Sequence, residues 1–201
     1  MTVDVRALLE LSADLQGAST FADILNAANR AVARTTRYRA TWLAVIEDTP
    51  EGQWVRILAI AGEASELVWE KSPRFPVGAD PLLREILEGD HPVVVDDMRL
   101  DARTDKEMVA RTDIRTGINV PMRIGGATLG AFCVGSFGAE GVVPPTQDEV
   151  EQLTVAASLV AAAFDRVRLL FQRNLLDEQA RTLAEKGRAL EEQVRHLQRL
   201  E

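Results

Sequence analysis

Five leucines stand seven residues apart towards the end of this chain: Leu169, Leu176, Leu183, Leu190 and Leu197. On a helix, a repeat of seven gathers one residue type on a single seam, and such a seam needs a partner. The chain after about Phe171 is otherwise rich in Gln, Glu, Arg and Lys, so it has no broad apolar face to lay on its own domain. The spacing predicts a long C-terminal coiled-coil helix over residues 169–201, paired with the same helix of a second copy. With leucine at d, the a positions are Arg166, Arg173, Ala180, Gly187 and Val194, of which only Val194 is a good core residue. Gly187 costs about 1 kcal/mol in helix propensity. Two readings stay open: a passive tether, or a near-balanced element that a ligand twists or splays. The seam residues are Leu169, Leu176, Leu183, Leu190, Val194 and Leu197.

At 46% hydrophobic and 27% charged, the 201 residues suit one sizeable core plus an appendage. No run of 18 apolar residues occurs, and the N-terminus is amphipathic with acids in it, which argues against a signal peptide or membrane span. The expected location is cytoplasmic. The single cysteine, Cys133, excludes an internal disulfide framework and a multi-cysteine zinc site. Net charge is −8 with basic residues scattered among acids, so no nucleic-acid partner is expected.

Along the chain, Val5, Leu8, Leu9, Ser12 and Leu15 share one helical face, and the pattern stops at Gln16 and Gly17. A second helix opens at Ser19 and Thr20, with Asp23 in its first turn, and carries Phe21, Ile24, Leu25, Ala28, Ala31 and Val32. Residues 41–46 and 54–60 read as strands flanking a turn at 49–52. Residues 63–79 are ambiguous. Pro81 opens a short helix that stops at Gly89, and a short strand follows at 93–95. Residues 97–113 read as a charged loop with one short helix. Gly125 and Gly126 join strands 116–124 and 127–137, a hairpin link in which both positions tolerate positive φ. Thr146 with Glu149 forms a capping box for the last helix. Its apolar stripe runs Leu153, Ala157, Val160, Phe164, Val167 and Phe171.

Three segments carry a family resemblance. Residues 89–97 (GDHPVVVDD) resemble the "G-x-P-hydrophobic-hydrophobic-x-D" strand of the GAF domain. Residues 115–130 (RTGINVPMRIGGATLG) resemble its "S/G-hydrophobic-x-x-P" hairpin with the following "G-x-x-hydrophobic-G", and residues 145–153 (PTQDEVEQL) its closing segment. The likeness covers residues 4–168, so the expected organisation is a GAF domain over 1–168 and a signalling helix over 169–201. It implies an α+β fold: a six-stranded antiparallel sheet, helices on one face forming a homodimer surface, and a small-molecule pocket on the other. GAF domains commonly sit upstream of histidine kinases, cyclic-di-nucleotide synthases or transcription regulators. The expected function is sensory: a small ligand is bound, and its state passes through the dimeric coil to an output module outside this chain. The chain ends within the heptad pattern, at Leu200 and Glu201, as expected of a fragment.

The residues themselves argue against catalysis. Free methionine sulfoxide reductases of this family rely on several cysteines, whereas Cys133 is alone and lies in an apolar strand pattern. Neither the cysteine and histidine that attach a bilin nor the cyclic-nucleotide signature is recognisable. His91 reads as a loop residue and His196 as solvated on the coil, so no metal site and no Ser–His–Asp set is expected. Asp97 is assigned a structural role. For the pocket, Trp69 and Phe75 in the variable segment, Met98 after the short strand and Asn119 on the fifth strand offer aromatic walls and one amide. No particular cofactor is implied. The alternatives are a ligand-free GAF scaffold that only dimerises a signalling protein and, more distantly, an enzyme of the methionine sulfoxide class.

Overall fold

A computed structural model describes residues 3–62 and 74–198. It divides into two compact units, Met1–Asp165 and Arg166–Glu201.

In the first unit, α1 (Val5–Gly17) starts at Asp4, whose carboxylate accepts from Ala7 N and satisfies an otherwise orphan donor. It buries Ala7, Leu11 and Leu15, a row at i, i+4, i+8, against α2 (Phe21–Thr35). The sequence had placed Val5 and Leu9 on the inner face, yet both are exposed, at 62% and 67%. The buried row runs through Ala7, Leu11 and Leu15, and Val5 and Leu9 fall outside it. Helix α2 begins with the expected capping box: Thr20 Oγ1 accepts from Asp23 N, and Asp23 accepts from Thr20 N.

Six strands form one antiparallel sheet in the order β3-β2-β1-β6-β5-β4. They are β1 (Ala40–Thr49), β2 (Gly52–Ala61), β3 (Arg74–Pro76), β4 (Val93–Val95), β5 (Ile114–Ile124) and β6 (Ala127–Phe137). Both long hairpins form where the turn residues demanded. The β5–β6 link uses Gly125 and Gly126 at φ 57° and 86°, left-handed backbone that suits glycine and matches the strand twist. Pairing of Trp42 with Cys133 and of Asn119 with Cys133 fixes the register at the centre of the sheet.

Alternation then splits the side chains between two faces. One face meets the long helices: Thr41 Oγ1 donates to Asn29 Oδ1 of α2 at 3.1 Å. The first part of α5 (Gln147–Gln198) joins that side. Gln152 Oε1 accepts from Asp4 N at 2.8 Å, and Phe164 packs on Phe21 with ring centroids 4.9 Å apart. The other face carries Ala44, Ala131 and Cys133, covered by two short helices, α3 (Pro81–Glu88) and α4 (Lys106–Thr112).

The second unit is the continuation of α5. Leu169, Leu176, Leu183 and Leu190 are 51–68% exposed in the single chain. Phe171, expected at the end of the buried stripe, is 66% exposed, whereas Val167 is buried. The buried stripe thus ends at Val167, one turn earlier than the sequence pattern predicts. The side chains of Val194 and Leu197 lie outside the described residues. Among those described, no helix is long and apolar enough to cross a membrane.

Candidate functional site

Between the sheet and helices α3 and α4 lies a cavity of about 100 Å³. Three of the four pocket residues expected from sequence line it: Phe75 from β3, Met98 from the loop after β4, and Asn119 from β5. Trp69 lies outside the described residues. The sequence reading missed Trp42, Phe137, Leu83, Ile86, Met108 and Cys133, all of which contribute to the wall. Strand alternation on β1 and β6 places Trp42 and Cys133 on a common face, which was a usable signal. The entry of Leu83, Ile86 and Met108 depends on how α3 and α4 dock, which no local pattern announces.

The floor is held by close approach. Trp42 meets Phe137 edge to face, with centroids 5.7 Å apart and planes at 72°. Its ring lies over Gly135, where a Cβ would come 3.1 Å from Trp42 and 2.5 Å from the carbonyl oxygen of Thr116. Only a residue without a side chain lets the indole lie so low.

The wall at Met98 is pinned through its backbone. Met98 N donates to Arg115 O at 2.7 Å, and Met98 O accepts from Thr104 Oγ1 at 2.7 Å. Lys106 Nζ reaches the carbonyl oxygens of Met98 and Asp101. Arg103 bridges the loop to α3, donating to Asp101 Oδ2 at 2.6 Å and to Glu85 Oε2 at 2.7 Å. That hydrogen bond from the Arg103 guanidinium holds the Asp101 carboxyl down at about 2. Asp97 is structural, as expected: its carboxylate accepts from Arg99 N and from the Arg99 guanidinium.

Polar groups on the cavity are few. Asp80 caps α3, its Oδ1 accepting from Leu82 N at 2.9 Å and Leu83 N at 3.1 Å, and burial pushes its carboxyl pKa up. Burial also pushes the Cys133 thiol well up, so the inert, protonated form prevails. Asn119 is only 6% exposed. Its side-chain nitrogen donates to Val93 O at 3.3 Å; the partner is a carbonyl, so the amide orientation follows from chemistry. Its Oδ1 makes no hydrogen bond with the described residues. No Lys, Arg or His lines the cavity among the described residues, and none of these residues forms a group able to hold a metal ion.

Comparison with known proteins adds the family. The model of the GAF domain matches residues 18–165. This chain belongs to the GAF domain family. Similar in structure is the GAF domain of a phosphoenolpyruvate-protein phosphotransferase from Coxiella burnetii, 17% identical, with a TM-score of 0.67 over 84% of this chain and 96% of that one. A free methionine-R-sulfoxide reductase from Neisseria meningitidis is 14% identical, with a TM-score of 0.60 over 85% and 96%. A methyl-accepting chemotaxis protein segment is 14% identical, with a TM-score of 0.63 over 80% and 98%. At such identities the likeness speaks for the fold alone. GAF domains occur in signalling proteins, and some of these neighbours are enzymes or parts of enzymes. No curated protein matches the sequence.

Proposed function

We propose that this GAF domain is a cytoplasmic, non-enzymatic sensory module. It takes a small ligand into the cavity under α3 and α4 and pairs with a second copy through its N- and C-terminal helices. Its state passes along a dimeric coiled coil to an output module of a signalling protein. The single observation that carries the reading is Asn119: a buried amide on an apolar cavity with its oxygen left for a guest. Four exposed heptad leucines support pairing of the coil, and the exposed Val5, Leu9 and Val155 support a contact through the terminal helices. The lone, buried and unactivated Cys133 argues against a methionine sulfoxide reductase. Native mass spectrometry of the purified protein tests the reading: a dimer that releases a small molecule on denaturation is expected. A second reading, a GAF domain that dimerises without a ligand, is favoured by the cavity's small size, about 100 Å³ against the roughly 300 Å³ or more of drug-sized sites.

A further inference from the structure

We infer that the ligand is an uncharged single-ring compound bearing one hydrogen-bonding group, of the phenol or N–H azole class. The inference rests on the sensory reading above and narrows it. Size comes first. At about 100 Å³, the cavity is of the order of an apolar cavity of roughly 150 Å³ that holds benzene, and well short of one for a nucleotide or a tetrapyrrole. Shape and wall chemistry come next. Trp42, Phe75 and Phe137 offer ring faces and edges, and Met98 and Met108 offer polarizable sulfur, which together favour a flat aromatic guest.

Charge then excludes whole classes. An anion would enter a site with no lining cation among the described residues and with the Asp80 carboxylate on its wall. The desolvation of a phosphate or carboxylate would go uncompensated. Polarity sets the last feature. Asn119 has spent one of its two N–H donors on Val93 O, so its amide can offer Oδ1 and the second N–H. A complementary guest brings one polar group, such as an O–H or N–H, that can meet this amide. The thiol of Cys133 and the hydroxyl of Thr112 do not compete: no hydrogen bond joins either to Asn119, and Thr112 Oγ1 donates to Met108 O at 2.9 Å.

The test uses the full chain and three probes of one ring each: phenol, toluene and benzoate. Titrations are followed by backbone and side-chain amide NMR, with calorimetry for affinity. Phenol is expected to shift the Asn119 side-chain amide and the amides of Cys133 and Phe137, and to bind roughly tenfold tighter than toluene, the worth of one hydrogen bond. Benzoate is expected to leave those signals unmoved. In Asn119→Leu the phenol and toluene affinities should converge; the wild-type comparison stands alone if that variant does not fold. Toluene binding as tightly as phenol, or benzoate binding in the cavity, overturns the polarity or charge argument while leaving a ligand-binding domain in place. If none of the probes shifts the cavity signals and native mass spectrometry releases nothing, the sensory reading falls with the inference.

Discussion

Replacing Glu149 with Gln should loosen the junction between the α2–β1 connection and the start of the long helix, by an amount the structure bounds. Glu149 is 8% exposed and accepts five hydrogen bonds. Oε1 takes Arg37 N and Nε, both at 3.1 Å, while Oε2 takes Arg37 Nη2 at 2.8 Å, Thr146 N at 2.9 Å and Thr146 Oγ1 at 3.1 Å. Burial alone would raise its pKa, but the Arg37 and Thr146 hydrogen bonds outweigh it and hold the carboxyl at about 2, against 4.5 for a free one. A displacement of that size corresponds to at most about 3 kcal/mol. Because Arg37 is half exposed and its pairing is shared with water, about 1–2 kcal/mol is the expected share of the charge.

The sign is fixed by the depressed folded value. The stabilisation is complete above about pH 4.5 and is lost as pH falls from there towards 2. Gln keeps the shape but turns an N–H2 towards donors, so Glu149→Gln should be less stable by about 1–3 kcal/mol at pH 7. Urea unfolding of both proteins across pH 7 to 2.5 measures the gap. Other carboxylates, Asp101 included, titrate in both proteins and cancel in the difference. The gap should close as the wild-type carboxyl protonates; a gap constant over that range, or absent at pH 7, refutes the electrostatic account.

Leu183→Lys combined with Leu190→Lys should weaken dimerisation at least roughly 100-fold, since each buried leucine contributes about 1.5–3 kcal/mol. Sedimentation equilibrium reads this, and an unchanged constant would place the dimer contact in the domain helices rather than the seam. Gly135→Ala should cost about 1–3 kcal/mol in thermal or urea unfolding by driving a Cβ against Thr116 O and Trp42, and a neutral result would mean the indole does not lie where described. Native Cys133 should resist Ellman's reagent and react only after unfolding, because its thiol is enclosed and kept protonated. Fast reaction of the folded protein would disprove that burial.

Local chemistry was enough to announce much of this molecule. Thr20 with Asp23 and Thr146 with Glu149 specify helix starts because a cap is satisfied within three residues. Gly125 and Gly126 specify a hairpin because few other pairs reach the φ values the strand twist requires. From these, the strand patterns and the family motifs, the sheet and its helices followed. Packing between distant segments decided the rest. Helix α1 reads in sequence as one apolar face through Val5, Leu8, Leu9, Ser12 and Leu15, and only packing in the assembled fold selected the row through Ala7, Leu11 and Leu15. Phe75, Met98 and Asn119 were each legible as pocket candidates from their places by the variable segment and the motifs. Their companions were not: Trp42 meets Phe137 across some 95 residues of chain, over a glycine that permits the approach. Hydrogen bonds made within a turn are written in neighbouring residues. A cavity is the space left when remote surfaces fail to meet, so only the assembled fold has one.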